Sequence, residues 1–77
     1  MSAKTVEIRV SISTDTRVTG RYFIDLRDTT GGANRQMASR VMDREDALVF
    51  IGQAEGAAQR AGVTTTLVDQ TGGEFGA

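Results

Sequence analysis

From Thr5 to Ser13 apolar and polar residues alternate without a break. Val6, Ile8, Val10 and Ile12 fall on one side, and Glu7, Arg9, Ser11 and Ser13 on the other. A period of two is the pattern of a strand with one buried face. It returns over residues 21–27, with Tyr22, Ile24 and Leu26 inward and Arg21, Phe23, Asp25 and Arg27 outward. The intervening TDTRVTG is rich in turn formers and leaves room for a strand edge to reach Val18, so the two runs predict a hairpin.

Residues 35–42 predict a third strand with a weaker pattern. Its inward set is either Met37, Ser39 and Val41 or Gln36, Ala38 and Met42, and the first is preferred. A fourth run, residues 63–69, is rich in β-branched residues, with Val63, Thr65 and Leu67 on one side and Thr64, Thr66 and Val68 on the other.

Between the last two strands the period changes. At about 100° per residue, Ala47, Phe50, Ile51, Ala54, Ala57, Ala58 and Ala61 share one face of a helix over residues 43–61. Asp43 with Asp46 three residues on suits an N-terminal cap, and the acidic first turn complements the helix dipole. Arg60 in the last turn and Gly62 beyond it mark the other end. The opposite face carries Val49, Gly52, Gly56 and Arg60, and each interior glycine costs a helix roughly 0.5–1 kcal/mol against alanine. A small-xxx-small stripe is a strong packing signal only in a membrane span, and this helix is too polar to be one.

These elements predict one α+β domain over residues 1–77: a four-stranded, mainly antiparallel sheet in the order β-β-β-α-β, covered on one face by the helix. The expected core is Val6, Ile8, Val10, Ile12, Tyr22, Ile24, Leu26, Val41, Ala47, Phe50, Ile51, Ala54, Ala58, Val63 and Leu67. The glycine-rich tail, residues 70–77, is expected to be loose. The crossover helix sets the fourth strand parallel to the third, beside either the first or the third.

Composition narrows the chemistry. The 77 residues contain no cysteine and no histidine, so thiolate metal sites, disulfides and the commonest general base are excluded. No apolar run reaches the length of a membrane span and the first residues lack the apolar core of a signal peptide, so the expected location is cytoplasmic. Net charge is −1 but unevenly spread. Residues 1–44 hold eight basic and five acidic groups, and residues 45–77 hold Arg60 against five acidic ones.

Two segments share the pattern L-x-D-x-T-G-G, at Leu26 and at Leu67. Neither leads into a helix or is followed by lysine, so they read as two similar turns rather than phosphate loops. Asp25 with Asp28, and Asp43 with Glu45 and Asp46, are the carboxylate groupings, without calcium-loop spacing and without an expected cleft around them. No catalytic residue, metal site or cofactor is assigned. Two surfaces remain as candidates. One is the helix back face with Val49, Gly52, Gly56 and Arg60; the other is a sheet face with Arg9, Arg21, Phe23, Arg27 and Arg40.

The expected function is a small non-enzymatic protein-binding module. It would work as a homodimer or by occupying the surface of a larger complex, as adaptors and phage-type inhibitors do. The alternative is a nucleic-acid binder using arginines around Phe23 on the sheet.

Overall fold

The computed structural model describes residues 3–14 and 20–75. The expected extension toward Val18 and the last residues of the tail lie outside these. The elements run β1 (Thr5–Ile12), β2 (Arg21–Asp28), a short turn (Thr30–Gly32), β3 (Arg35–Asp43), α1 (Arg44–Arg60) and β4 (Thr64–Asp69). They form a single four-stranded sheet in the order β3-β2-β1-β4, with one helix packed against it. The fold is α+β, as the pattern predicts. The sheet is mixed: β1 pairs antiparallel with β2 and β2 with β3, whereas β4 pairs parallel with β1.

Both ends of α1 carry the expected caps. Asp43 is extended and its Oδ1 accepts from the amide of Asp46 at 2.8 Å. At the C-terminus Gly62 has φ +72°, its amide reaches the Gln59 carbonyl and that of Val63 reaches the Ala58 carbonyl at 2.8 Å. This is a complete Schellman motif, and it needs the left-handed backbone that glycine adopts without strain.

The core is compact and central. Ile8, Val10, Tyr22, Ile24, Ala47 and Ile51 are buried, and Leu26, Met42, Phe50, Ala54, Leu67 and Phe75 pack against them. Three expectations need correction. Ile12 ends its strand and is 57% exposed. Val41 is 52% exposed and lies on the uncovered side of the sheet, opposite Phe23. Met42, opposite Tyr22, takes the helix side instead, with Arg40 and Ala38 opposite Ile24 and Leu26. The less favoured inward set of β3 is therefore realised, with a modification: a register shift between Leu26 and Arg27 sets Gln36 opposite Arg27 and lets Met37 join the helix side. A bulge of this kind reverses the face of every residue beyond it.

The other correction is at the tail, where residues 70–75 are fastened rather than loose. Asp69 Oδ1 accepts from the Thr71 amide at 2.8 Å and Oδ2 from the Phe75 amide at 2.8 Å, while the Gln70 amide reaches the Val10 carbonyl at 2.7 Å. Phe75 then packs edge-on against Tyr22 with ring centroids 5.0 Å apart, and the Arg44 guanidinium lies 5.9 Å from its ring centroid. The Tyr22 hydroxyl donates to the Glu74 carboxylate at 2.9 Å.

The first L-x-D-x-T-G-G segment is built the same way. The Thr30 amide donates to Asp28 Oδ1 at 3.0 Å, and Gly31 and Gly32 have φ of +63° and +84°, as Gly72 and Gly73 have +92° and +104°. Both copies are Asx turns closed by glycines in positive φ.

Two pH effects follow. The bonds from Thr30 hold the Asp28 carboxyl below its usual pKa. Its contribution to stability is present above the unfolded value and is lost as pH falls through the lowered folded value. Urea unfolding between pH 5 and 2 is therefore expected to show an acid loss that Asp28→Asn removes in part. The hydrogen bond to Glu74, then burial, raises the Tyr22 hydroxyl. That contribution is complete below the unfolded pKa and disappears as pH rises through the folded one. Since Tyr22 is the only tyrosine, an ultraviolet titration reads it directly, and Glu74→Gln is expected to move its transition down toward the ordinary value.

Candidate functional site

Four of the five expected sheet residues share the uncovered face. Register places Arg9, Arg21, Phe23 and Arg27 there together with Glu7, Asp25, Ser39 and Val41. Arg40 does not join them. It sits opposite Ile24 on the helix side of β3, because the face of that strand is reversed from the preferred assignment.

The centre of this face is a charge lattice. Glu7 is directly opposite Arg27 and Arg9 directly opposite Asp25, so opposite charges face each other across β1 and β2. The close contacts run along the strands: Arg27 Nη1 reaches Asp25 Oδ2 at 2.7 Å, and Arg9 Nε lies 3.2 Å from Glu7 Oε1. Asp25 is 7% exposed although it stands on the open face. Its Oδ2 accepts from Arg27 Nη1, while among the described residues the buried Oδ1 has no hydrogen-bond partner. The lattice is neutral, so two of the arginines that could attract a polyanion are already compensated within the chain.

Beside the lattice the face turns apolar. Phe23, Val41 and Ile12, with Ser11, Ser13 and Thr14, line an open depression of about 420 Å³. On the helix side, a second apolar groove of about 330 Å³ runs between the last turns of α1 and the sheet, with Met37, Leu26, Ala54 and Ala57 on its walls. It exists because α1 presents alanines there, too short to fill the space to the sheet. Sequence reasoning missed Met37 and Val41 as exposed positions. The available signal was that residues 35–43 carry polar side chains at both parities, which suits a strand with one free edge.

The helix back face is where the period placed it. Val49 is 58% exposed and Gly52 is exposed, with open space around any Cβ added to it. A Cβ on Gly56 would meet Arg60 Nη1 at 3.5 Å, an ordinary contact, so the Arg60 guanidinium folds back over that glycine. Among the described residues nothing needs either glycine to be small.

The carboxylates suggested by sequence proximity are separated or engaged. Asp25 lies on the open face and Asp28 on the helix side, within its turn, while Asp43 caps α1. Among the described residues no group of three acidic side chains is arranged to hold a metal ion, and no helix is long and apolar enough to cross a membrane. No family model, curated protein or solved structure matches this chain.

Gly52→Ala is expected to raise the unfolding free energy by roughly 0.5–1 kcal/mol in urea melts of the isolated chain. A decrease would mean that the back face is packed against something.

Proposed function

We propose that this chain is a small non-enzymatic protein-binding module of the cytoplasm, acting as a homodimer or by occupying the surface of a larger complex. The observation that supports it is the set of large apolar side chains left in water. Ile12, Met37, Val41, Leu48 and Val49 are each 44–59% exposed, beside a buried apolar core of six residues, one of them alanine. A domain this small gains much of its burial by pairing, and exposed apolar area concentrated on few elements is where it does so. The nucleic-acid reading has less behind it: the central arginines of the sheet face are matched by Glu7 and Asp25, and Phe23 is half-buried.

Light scattering across a concentration range, with affinity measured at low and high salt, tests the proposal. A dimer or a stoichiometric complex with a protein of the native source, little affected by salt, is expected. A monomer that recovers no protein partner overturns it. A shift of single-stranded oligonucleotide at low salt, abolished by Arg21→Glu with Arg27→Glu, would favour the alternative instead.

A further inference from the structure

We infer that the groove between α1 and the sheet is a binding site for a small amphiphilic anion, a medium-chain fatty acid whose chain lies in the groove and whose carboxylate meets Lys4. This goes beyond the protein-binding reading and stands or falls separately from it.

The hollow has the make-up of a ligand site. Small-molecule sites are concave, roughly 300–1,000 Å³ in volume and mostly apolar, with a few polar groups that fix orientation. At about 330 Å³ the groove lies at the lower limit of that range, which restricts it to a slender ligand. Besides the residues already named, Val6, Ile8, Ala58 and Val63 line it, and among the described lining residues only Thr65 carries a polar side chain. The alanines of α1 have no side-chain length with which to close it. Met37, unbranched and 59% exposed, is placed to fold over a bound chain.

The polar groups stand at one end. There the groove continues into a second hollow of about 240 Å³, which shares Val6, Met37 and Val63 with it and adds Lys4, Asp28 and Thr30. The charge of this mouth decides the head group. Asp28 is already engaged: its Oδ1 accepts from the Thr30 amide at 3.0 Å, and Arg35 stands directly opposite it across β2 and β3. Both Arg35 and Lys4 lie close enough to help lower the Asp28 pKa. Two cations thus share one carboxylate. Among the described residues Lys4 makes no ion pair. With Arg35 set against Asp28, the Lys4 ammonium is the charge left over, and a single carboxylate is its complement. A cationic head would meet Lys4 as a like charge and Asp28 as a carboxylate already satisfied.

Isothermal titration at low salt with decanoate, below its micelle concentration, tests the assignment. Decyltrimethylammonium serves as a probe with the same chain and the opposite head. The protein is expected to bind decanoate at a single site, and the cationic probe about tenfold more weakly or worse. Ala57→Leu puts a branched side chain into the groove and is expected to lower decanoate affinity by about tenfold or more. Ala57 is exposed, so the far-ultraviolet spectrum should not change. Lys4→Glu leaves the groove open and is expected to reverse the preference between the two probes. Absence of decanoate binding, equal binding of the two probes, or decanoate binding untouched by either substitution would each overturn the site. A protein that binds neither probe but loses a stoichiometric protein complex on Ala57→Leu would give the groove to that protein partner. That result would remove the fatty-acid assignment and leave the protein-binding reading intact.

Discussion

One helix has to cover four strands. Four strands at about 4.8 Å spacing put their outermost axes about 14 Å apart, while a helix with its side chains is about 10–12 Å across. The sheet edges therefore extend beyond their cover, and the composition of α1 sharpens the problem. Its inward face is mostly alanine, so it lies close along the centre of the sheet and supplies little volume to either side. Among the described residues the buried apolar side chains are Ile8 and Val10 of β1, Ile24 and Tyr22 of β2, and the two helix positions above them, Ala47 and Ile51. At the C-terminal end of α1 the same alanines leave a groove against the sheet. Toward the Tyr22 end the chain compensates with its own tail, since Asp69 fastens a turn that delivers Phe75 onto the ring.

The uncovered face shows how a one-layer fold keeps an open sheet surface in water. A hydrophobic second face would demand a second layer. Here β1 and β2 alternate Glu–Arg and Asp–Arg at matched heights, so each charge has an opposite neighbour both across and along the strands. Arg27 pairs with the buried Asp25 and Arg9 with Glu7. Such a face is soluble without being strongly charged, which makes it a poor electrostatic target for a polyanion. Its border beside β3, where Val41 and Phe23 meet, lacks this protection.

Much of this architecture is legible in the sequence because the informative residues are local. The strict alternation of β1, the Asp43 and Gly62 caps and the Asp-x-Thr-Gly-Gly turns each encode their geometry within a few residues. What is not legible depends on partners far along the chain. The face of β3 is set by pairing with β2 and by a bulge opposite Arg27, and no periodicity in residues 35–43 reveals where a bulge falls. Val41 and Met42 exchange sides for that reason, and Arg40 leaves the candidate sheet face with them. The tail misleads in another way. Its glycines suggest looseness, yet they serve the positive φ of a turn whose anchor, Asp69, precedes them. The candidate surfaces were found as stripes, but their spatial relation to β3 required the sheet order.

The uneven charge of the chain takes on meaning once folded. In the basic half, Arg9 and Arg27 are balanced on the open face, and in the acidic half Glu74 and Asp69 are occupied by the tail. Around β3, Arg35 and Arg40 lie on the strand itself, and Arg44, Glu45 and Asp46 follow where it turns into the helix. Single charges on an edge usually repel another strand. Arg35, Arg40 and Asp43, all exposed, give the free edge of β3 this protection. The bulge opposite Leu26 and Arg27 adds to it by breaking the regular pleat along that strand.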